Sequence, residues 1–390
     1  MSHVMNTYSR QPVAFVRGEG VWLWDSGGKR YLDGLAGIAV NTLGHAHPRL
    51  TAALSEQIGK LIHCSNVYQI PAQESLADKL CALSGMDEVF FSNSGCEANE
   101  AAIKLARLYG HKRGIEAPAI IVMEKSFHGR TLATLSATGN RRVQAGFEPL
   151  VKGFVRVPYD DLAAVRHLAT NNRDVVAVLV EPIQGEGGIR TPDASYLQEL
   201  RRICSENNWL MMLDEVQTGI GRTGCWFAHQ HAAIVPDVMT LAKGLGSGVP
   251  IGACLAAGAA TGTFGPGNHG STFGGNPLAC VAGLTTLNVM EQDNLPAYAG
   301  QLGQFIRNGI TAALQGVKGF QEIRGQGLMI GIVLDKPCAE LVKLALARGL
   351  LINVTADSVV RLLPPLVMSQ DEAQQLVDIL CPLIKDFLQS

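Results

Sequence analysis

Trp209-Leu-Met-Met-Leu-Asp214 and Asp237-Val-Met-Thr-Leu-Ala-Lys243 decide the fold. Each holds a short apolar run that closes on a charged residue. Such runs, bounded by turn signals, read as strands buried on both faces, the kind that parallel sheets use. Asp214 then stands at the C-terminal end of one strand, where open α/β sheets bind ligands. Lys243 closes the other run and is followed by Gly244-Leu-Gly-Ser-Gly248, whose glycines let a ligand come close to the backbone.

Taken singly, the aspartate reads as a helix cap and the lysine as a surface charge. Taken together, at two strand ends, they suit an aldehyde cofactor with a pyridine ring. Desolvation lowers a lysine pKa and makes the amine nucleophilic enough to hold an aldehyde as a Schiff base. An acid keeps a proton on the ring nitrogen, so the ring remains an electron sink. The cofactor implied by Lys243 and Asp214 is pyridoxal 5'-phosphate.

Outward from this pair, strand candidates fall at 88–91, 119–123, 175–180, 210–213, 238–241 and 251–255, with helical segments between several of them. That alternation predicts an α/β fold, a mostly parallel sheet with helices on both faces. Upstream, runs at 13–16, 21–24 and 31–32 are separated by turn signals and predict a small antiparallel meander. Amphipathic helices are expected over 49–62 and 72–83. A helical pattern from Asn276-Pro277 to about Gln292 is followed by helices near 301–314, 339–348 and 371–388 and by short strands such as 328–333. The expected organisation is an N-terminal segment with the meander (1–47), a large cofactor-binding domain (48–275) and a smaller C-terminal α/β domain (276–390).

At 390 residues the chain can bury a large core. Its 32 basic and 34 acidic side chains nearly cancel and form no basic stretch, which argues against nucleic acid as a partner. Nine scattered cysteines without C-x-x-C spacing argue against a disulfide framework or zinc ribbon and for a reducing compartment. The N-terminus carries no apolar signal segment, and the apolar stretch 251–260 is too short to span a membrane. A cytoplasmic protein is expected. His45-Ala-His47 and His229-Gln-His231 lack a carboxylate or cysteine in register and are not read as metal sites. Gly219-Ile-Gly221-Arg-Thr-Gly224 spells the dinucleotide pattern, but Asp214 to Thr218 separate it from the strand, whereas that fingerprint needs the turn at the strand end itself.

Other motifs carry chemistry. Ser94 and Glu97 form an S-x-x-E capping box before the helical run 98–109. The free amides of Gly95 and Cys96 then offer an anion site at a helix start. Phe127-His-Gly-Arg130 follows a strand, so its aromatic can stack on a flat ring and Arg130 can hold a carboxylate. Glu181-Pro-Ile-Gln-Gly-Glu186 puts Glu186 in a loop at the same sheet edge, and Arg361-Leu-Leu-Pro-Pro365 follows a strand-like pair in the C-terminal part. The sequence by itself does not bring Glu186 and Arg361 together.

In this order, the motifs resemble the class III pyridoxal-phosphate aminotransferases. Asn93-Ser-Gly-Cys-Glu-Ala-Asn99, Phe127-His-Gly-Arg130, Asp214-Glu-Val-Gln217, Leu241-Ala-Lys-Gly244, His269-Gly-Ser-Thr-Phe-Gly-Gly-Asn-Pro277 and Arg361-Leu-Leu-Pro-Pro365 carry the likeness. Phe127-His-Gly-Arg-Thr131, Thr218-Gly-Ile-Gly-Arg-Thr-Gly224 and the short N-terminus make it most similar to the branch acting on N2-acetyl-L-ornithine. The resemblance implies the fold-type I, aspartate-aminotransferase-like architecture and a homodimer with shared active sites. It implies that Lys243 anchors the cofactor and carries the proton, and that Asp214 pairs with the pyridinium. Gln217 would bond the phenolic oxygen, with Glu215 in the same cofactor-binding turn, and Val216 and Phe127 would pack the two ring faces. Gly95, Cys96 and the neighbouring subunit's Thr272 would bind phosphate, while Arg130, Glu186, Ser271 and Arg361 would meet substrate. Cys96 departs from the usual alanine or threonine, but its contact is by backbone. The rival expectations are a succinylornithine, ornithine or 4-aminobutyrate aminotransferase, a nicotinamide-dependent dehydrogenase, and a regulatory protein that only stores the cofactor.

Overall fold

The computed structural model describes residues 3–389. A meander of β1 (Phe15–Glu19), β2 (Trp22–Asp25) and β3 (Arg30–Asp33) comes first. The central sheet follows: β4 (Glu88–Ser92), β5 (Ala119–Met123), β6 (Phe154–Val157), β7 (Val175–Val180), β8 (Leu210–Asp214), β9 (Val238–Leu241) and β10 (Gly252–Ala256). Their order is β4-β10-β9-β8-β7-β5-β6. Strands from β9 across to β6 run parallel, and β10 is antiparallel to both its neighbours.

Every residue of β5, β7, β8 and β9 is buried, which is why each reads as a mainly apolar run, interrupted only by Thr240 in β9 and by Asp214 at the end of β8. Alternate residues of a strand face opposite sides. Leu210 and Met212 accordingly pack with Ala101, Leu105 and Ala106 of the helix Gly95–Lys112. Met211 and Leu213 pack with Leu200 and Ile203 of the helix Tyr196–Glu206 on the other face. Helices therefore cover both faces, as expected.

The C-terminal part holds β11 (Phe320–Gln326), β12 (Met329–Leu334), β13 (Leu350–Leu351), β14 (Asn353–Thr355) and β15 (Val359–Leu362). Four of these form an antiparallel sheet in the order β11-β12-β15-β14. The fifth, β13, pairs in parallel with β3, so the meander and the C-terminal part share one sheet. Trp22 Nε1 also donates to Glu372 Oε1 at 2.8 Å, on the last helix. Arg222, buried in the loop after β8, donates to the carbonyls of Leu328 (3.1 Å) and Pro364 (2.5 Å). Burial pulls its pKa down to about 9, with Asp33 opposing the shift.

Some elements differ from the sequence reading, three of them in ways that bear on the fold. β6 was not expected, because Arg156 interrupts its apolar run at the edge of the sheet. The helix expected over 49–62 spans Pro48–Ile58 and stops at Gly59. The helix expected from 301 begins at Leu295, where Asn294 takes a left-handed conformation and Pro296 fits the first turn. Among the described residues no helix is long and apolar enough to cross a membrane.

Candidate active site

β8 delivers Asp214 to the C-terminal edge of the sheet, and it is almost wholly buried. Its Oδ2 accepts from Asn99 Nδ2 and lies 2.8 Å from His128 Nδ1, while its Oδ1 accepts from the Val216 amide at 3.1 Å. Asn99 is held in turn by Thr240 Oγ1 at 2.7 Å and donates to the His128 carbonyl. The carboxylate is thus fixed by three elements before any ligand meets it.

Lys243 lies in a short turn just past β9 and takes a φ of +41°, a strained setting for a side-chain-bearing residue. Burial lowers its pKa, and so does the Arg361 guanidinium. Glu186, Asp214 and Glu181 oppose that shift. The lowered value favours the neutral, nucleophilic amine.

Lys243 and Asp214 line one cavity of about 330 Å³. The helix Gly95–Lys112 enters it by its N-terminus. Ser94 Oγ accepts from the Glu97 amide, one half of the expected capping box, while the Glu97 carboxylate accepts from the backbone and side-chain amides of Asn93, one residue before the cap. The amides of Gly95 and Cys96 have no helical partner and line the cavity. Gly95 is needed there, because a Cβ would come within 2.8 Å of Val216, which forms a wall. Phe127 and Gln217 also line the cavity, and Arg130 sits outside with its guanidinium 5.7 Å from the Phe127 ring.

Glu186 and Arg361, remote in sequence, meet at 2.6 Å. Arg361 is fully buried and also donates to Asn353 Oδ1 (3.1 Å) and to Gln217 Oε1 (3.4 Å). It is therefore tied through Gln217 to the cavity wall.

Some expected site residues stand elsewhere. The Glu215 carboxylate turns away from the cavity and accepts from the amides of Ala228 (2.6 Å) and His229 (2.9 Å). Its side chain fixes the loop after β8, so any contact of Glu215 with a cofactor would be made by its backbone. Ser271 and Thr272 line a separate cavity with Glu97 and His269, not the one that holds Lys243. The glycines at 219, 221 and 224 donate within their own loop, to Glu215, Trp226 and Gly221, so they present no phosphate cradle. His45 pairs with Asp33, and His229 with Glu215.

The sequence reading missed Asn99, His128 and Glu181. Asn99 follows Gly95 by one helical turn and so shares its face, a signal that could have found it. Glu181 closes the apolar run Val175–Val180 as Asp214 closes its own, so the same signal could have found it, whereas nothing in the sequence marks His128. Glu181 is buried at the end of β7, and that burial raises its pKa to about 7, with His128 opposing and Asp214 adding to the shift.

The residues present fit pyridoxal phosphate. A fixed acid, a desolvated lysine and free amides at a helix start line one cavity, with an aromatic ring and a valine among its walls. An open α/β sheet that gathers these groups at its C-terminal edge defines an enzyme working through a covalently held carbonyl cofactor. The chain belongs to the class-III aminotransferases, whose family model matches residues 4–384. An acetylornithine aminotransferase from Nitrosomonas europaea is 64% identical over 390 residues, covering 100% of this chain and 99% of its own. The solved acetylornithine aminotransferase from Elizabethkingia anophelis is 36% identical with a TM-score of 0.90, covering 99% of this chain and 97% of that one. The ornithine aminotransferase from Toxoplasma gondii ME49 is 33% identical with a TM-score of 0.95, covering 99% and 93%. The architecture is accordingly the fold-type I, aspartate-aminotransferase-like one expected from the sequence.

Proposed function

We propose that the protein transfers the terminal amino group of N2-acetyl-L-ornithine to 2-oxoglutarate, giving N-acetyl-L-glutamate 5-semialdehyde and L-glutamate, a step of arginine biosynthesis. The observation that carries this reading is the Glu186–Arg361 pair beside the cavity. A buried arginine that can be covered or uncovered suits one site that must take two unlike amino donors. The 64% identity to the Nitrosomonas acetylornithine aminotransferase supports the acetylated donor. A second reading, ornithine itself as donor, is favoured by the fit to the Toxoplasma structure. Half-reaction rates of the purified enzyme decide between them, measured with acetylornithine, succinylornithine, ornithine and 4-aminobutyrate. The acetylated donor should be fastest, and a faster rate with free ornithine would overturn the choice.

Pyridoxal phosphate, when bound, supplies the electron sink that lets an amino group pass between two carbon skeletons. Lys243 would anchor it and move the proton at the reacting carbon. Asp214 would hold the proton on the ring nitrogen, and Gln217 would face the phenolic oxygen. Val216 and Phe127 would cover the ring faces, and the amides of Gly95 and Cys96 would hold the phosphate. Arg130, exposed at the cavity mouth, would take the distant carboxylate of either substrate.

Asp214→Asn should keep cofactor binding but lower kcat by roughly 10²-fold, because a neutral amide does not stabilise a pyridinium charge. Wild-type turnover of this variant at saturating cofactor would remove Asp214 from its role.

A homodimer belongs to the same reading, with Thr272 completing the neighbouring subunit's phosphate site and Ser271 touching substrate there. Thr272 lies outside this chain's own Lys243 cavity. Beside it, Phe273, Val67 and Tyr68 are 61%, 79% and 70% exposed, and Asn66 bonds the Ser271 and Gly274 carbonyls. Apolar side chains this exposed mark an interaction surface. Diluting the protein to monomer should therefore release cofactor. Monomers that retain the cofactor's visible absorbance during sedimentation would contradict the shared site.

A further inference from the structure

Glu181 is a buried acid that the steps above do not use. It stands at the end of β7 and lines the cavity beside Phe127. Its two oxygens serve two different loops. Oε2 accepts from the Phe127 amide at 3.0 Å, and Oε1 accepts from the Gly185 amide at 3.2 Å. The first loop carries the Phe127 ring that lines the cavity, then Arg130. The second carries Glu186.

The surroundings hold this arrangement in place. Tyr159 Oη lies 3.2 Å from the Glu181 carbonyl and 2.9 Å from that of Pro182, fixing the chain just past the strand. Gln184 donates to the Glu124 carbonyl at 2.8 Å, a second tie between the same two loops. Gly185 is pressed against Gln217, since a Cβ there would lie 2.4 Å from Gln217 Oε1. Gln217 in turn meets Arg361. One carboxylate thus sits between the Phe127 loop and the loop whose Glu186 covers Arg361.

We propose that Glu181 is a positioning residue for amino transfer: its carboxylate clamps the Phe127 and Gly185 loops to the end of β7, setting the spacing between the groups that grip the substrate. This rests on the aminotransferase reading above. Two amide donors need two acceptor oxygens, which an ionised carboxylate offers. A carboxamide offers one, and its NH₂ would face the second N–H. The charged and titratable groups facing Glu181 are His128 on the Phe127 loop, Asp214 on β8, Lys243 past β9 and Tyr159. With a pKa raised to about 7, the carboxylate is ionised above that pH and loses a strong acceptor as pH falls through it. The clamp therefore holds on the alkaline side and loosens on the acid side.

The test compares Glu181→Gln and Glu181→Asp with the wild type. In cofactor-free protein, exchange of the Phe127 or Gly185 amide should speed up by about tenfold or more in Glu181→Gln. In loaded enzyme at about pH 8, both half-reactions of Glu181→Gln should slow by about tenfold or more, and the acid limb near pH 7 should vanish. Glu181→Asp keeps both oxygens and should recover most of the rate. Wild-type exchange at both amides in Glu181→Gln overturns the proposal. So do half-reaction rates within about twofold of wild type, or an aspartate variant slower than the glutamine one. A wild type that transaminates none of the donors would refute the aminotransferase reading instead, and the exchange measurement would still judge the clamp.

Discussion

Lys243→Ala should abolish turnover and leave the fold standing. The lysine lies in a short turn past β9 and lines the cavity, so removing its side chain enlarges that cavity and leaves the strands as they are. What it contributes is an amine. Burial and the neighbouring Arg361 lower its pKa, which raises the fraction of neutral nucleophile near neutral pH. In the proposed reaction that amine anchors the cofactor and carries the proton at the substrate carbon. Losing both roles should cost several kcal/mol of barrier lowering, a rate loss on the order of 10³ or more. The measurement is single-turnover transfer by the purified, cofactor-loaded variant, with thermal unfolding run beside it. Near-normal transfer by a folded variant would take the lysine out of the mechanism.

The parts of this site that the sequence discloses are those where a charge breaks an apolar pattern. Asp214 and Lys243 end runs that are otherwise fully buried, and that interruption is visible without coordinates. β5, β7 and β9 are legible for the same reason, since a strand covered on both faces has no polar alternation to confuse its reading. The edge strand β6 loses that signature at Arg156. The acid beside Asp214 was a different matter. Adjacent residues in a turn face different surroundings, and Glu215 turns from the cavity toward Ala228 and His229. Glu181 also closes a buried run, but its partners, like those of His128, come from β7 and the Phe127 loop lying side by side, a juxtaposition that no local pattern encodes. Glu186 and Arg361 are 175 residues apart. No local pattern joins them, and it is the fold that brings the two side chains together.

That pair carries the sharpest prediction on specificity. Acetylornithine presents a terminal amine to the cofactor and keeps its carboxylate distant. Glutamate presents an α-amine with a carboxylate beside the reacting carbon and a second one further out. One fixed positive charge near the reacting carbon serves glutamate and is left bare by acetylornithine, and a bare buried guanidinium is costly. Arg361 is 1% exposed and is held by Asn353 and Gln217 as well as Glu186, so it is the fixed partner. The Glu186 side chain is 40% exposed and reaches Arg361 from a loop, so it is the one free to swing toward solvent. Glu186 should cover Arg361 when acetylornithine is bound and leave it to the near carboxylate of glutamate or 2-oxoglutarate. Arg361→Ala should then slow the glutamate half-reaction by roughly 10² to 10³, the scale of breaking a buried charge pair, and the acetylornithine half-reaction by less than about tenfold. Glu186→Ala should do the reverse, with acetylornithine losing about tenfold while glutamate holds its rate or gains, because the arginine stays uncovered. Single-turnover rates with both donors, for both variants, decide it. Equal losses in the two half-reactions would reduce the pair to scaffold charges, because a purely structural ion pair has no means of telling one donor from the other.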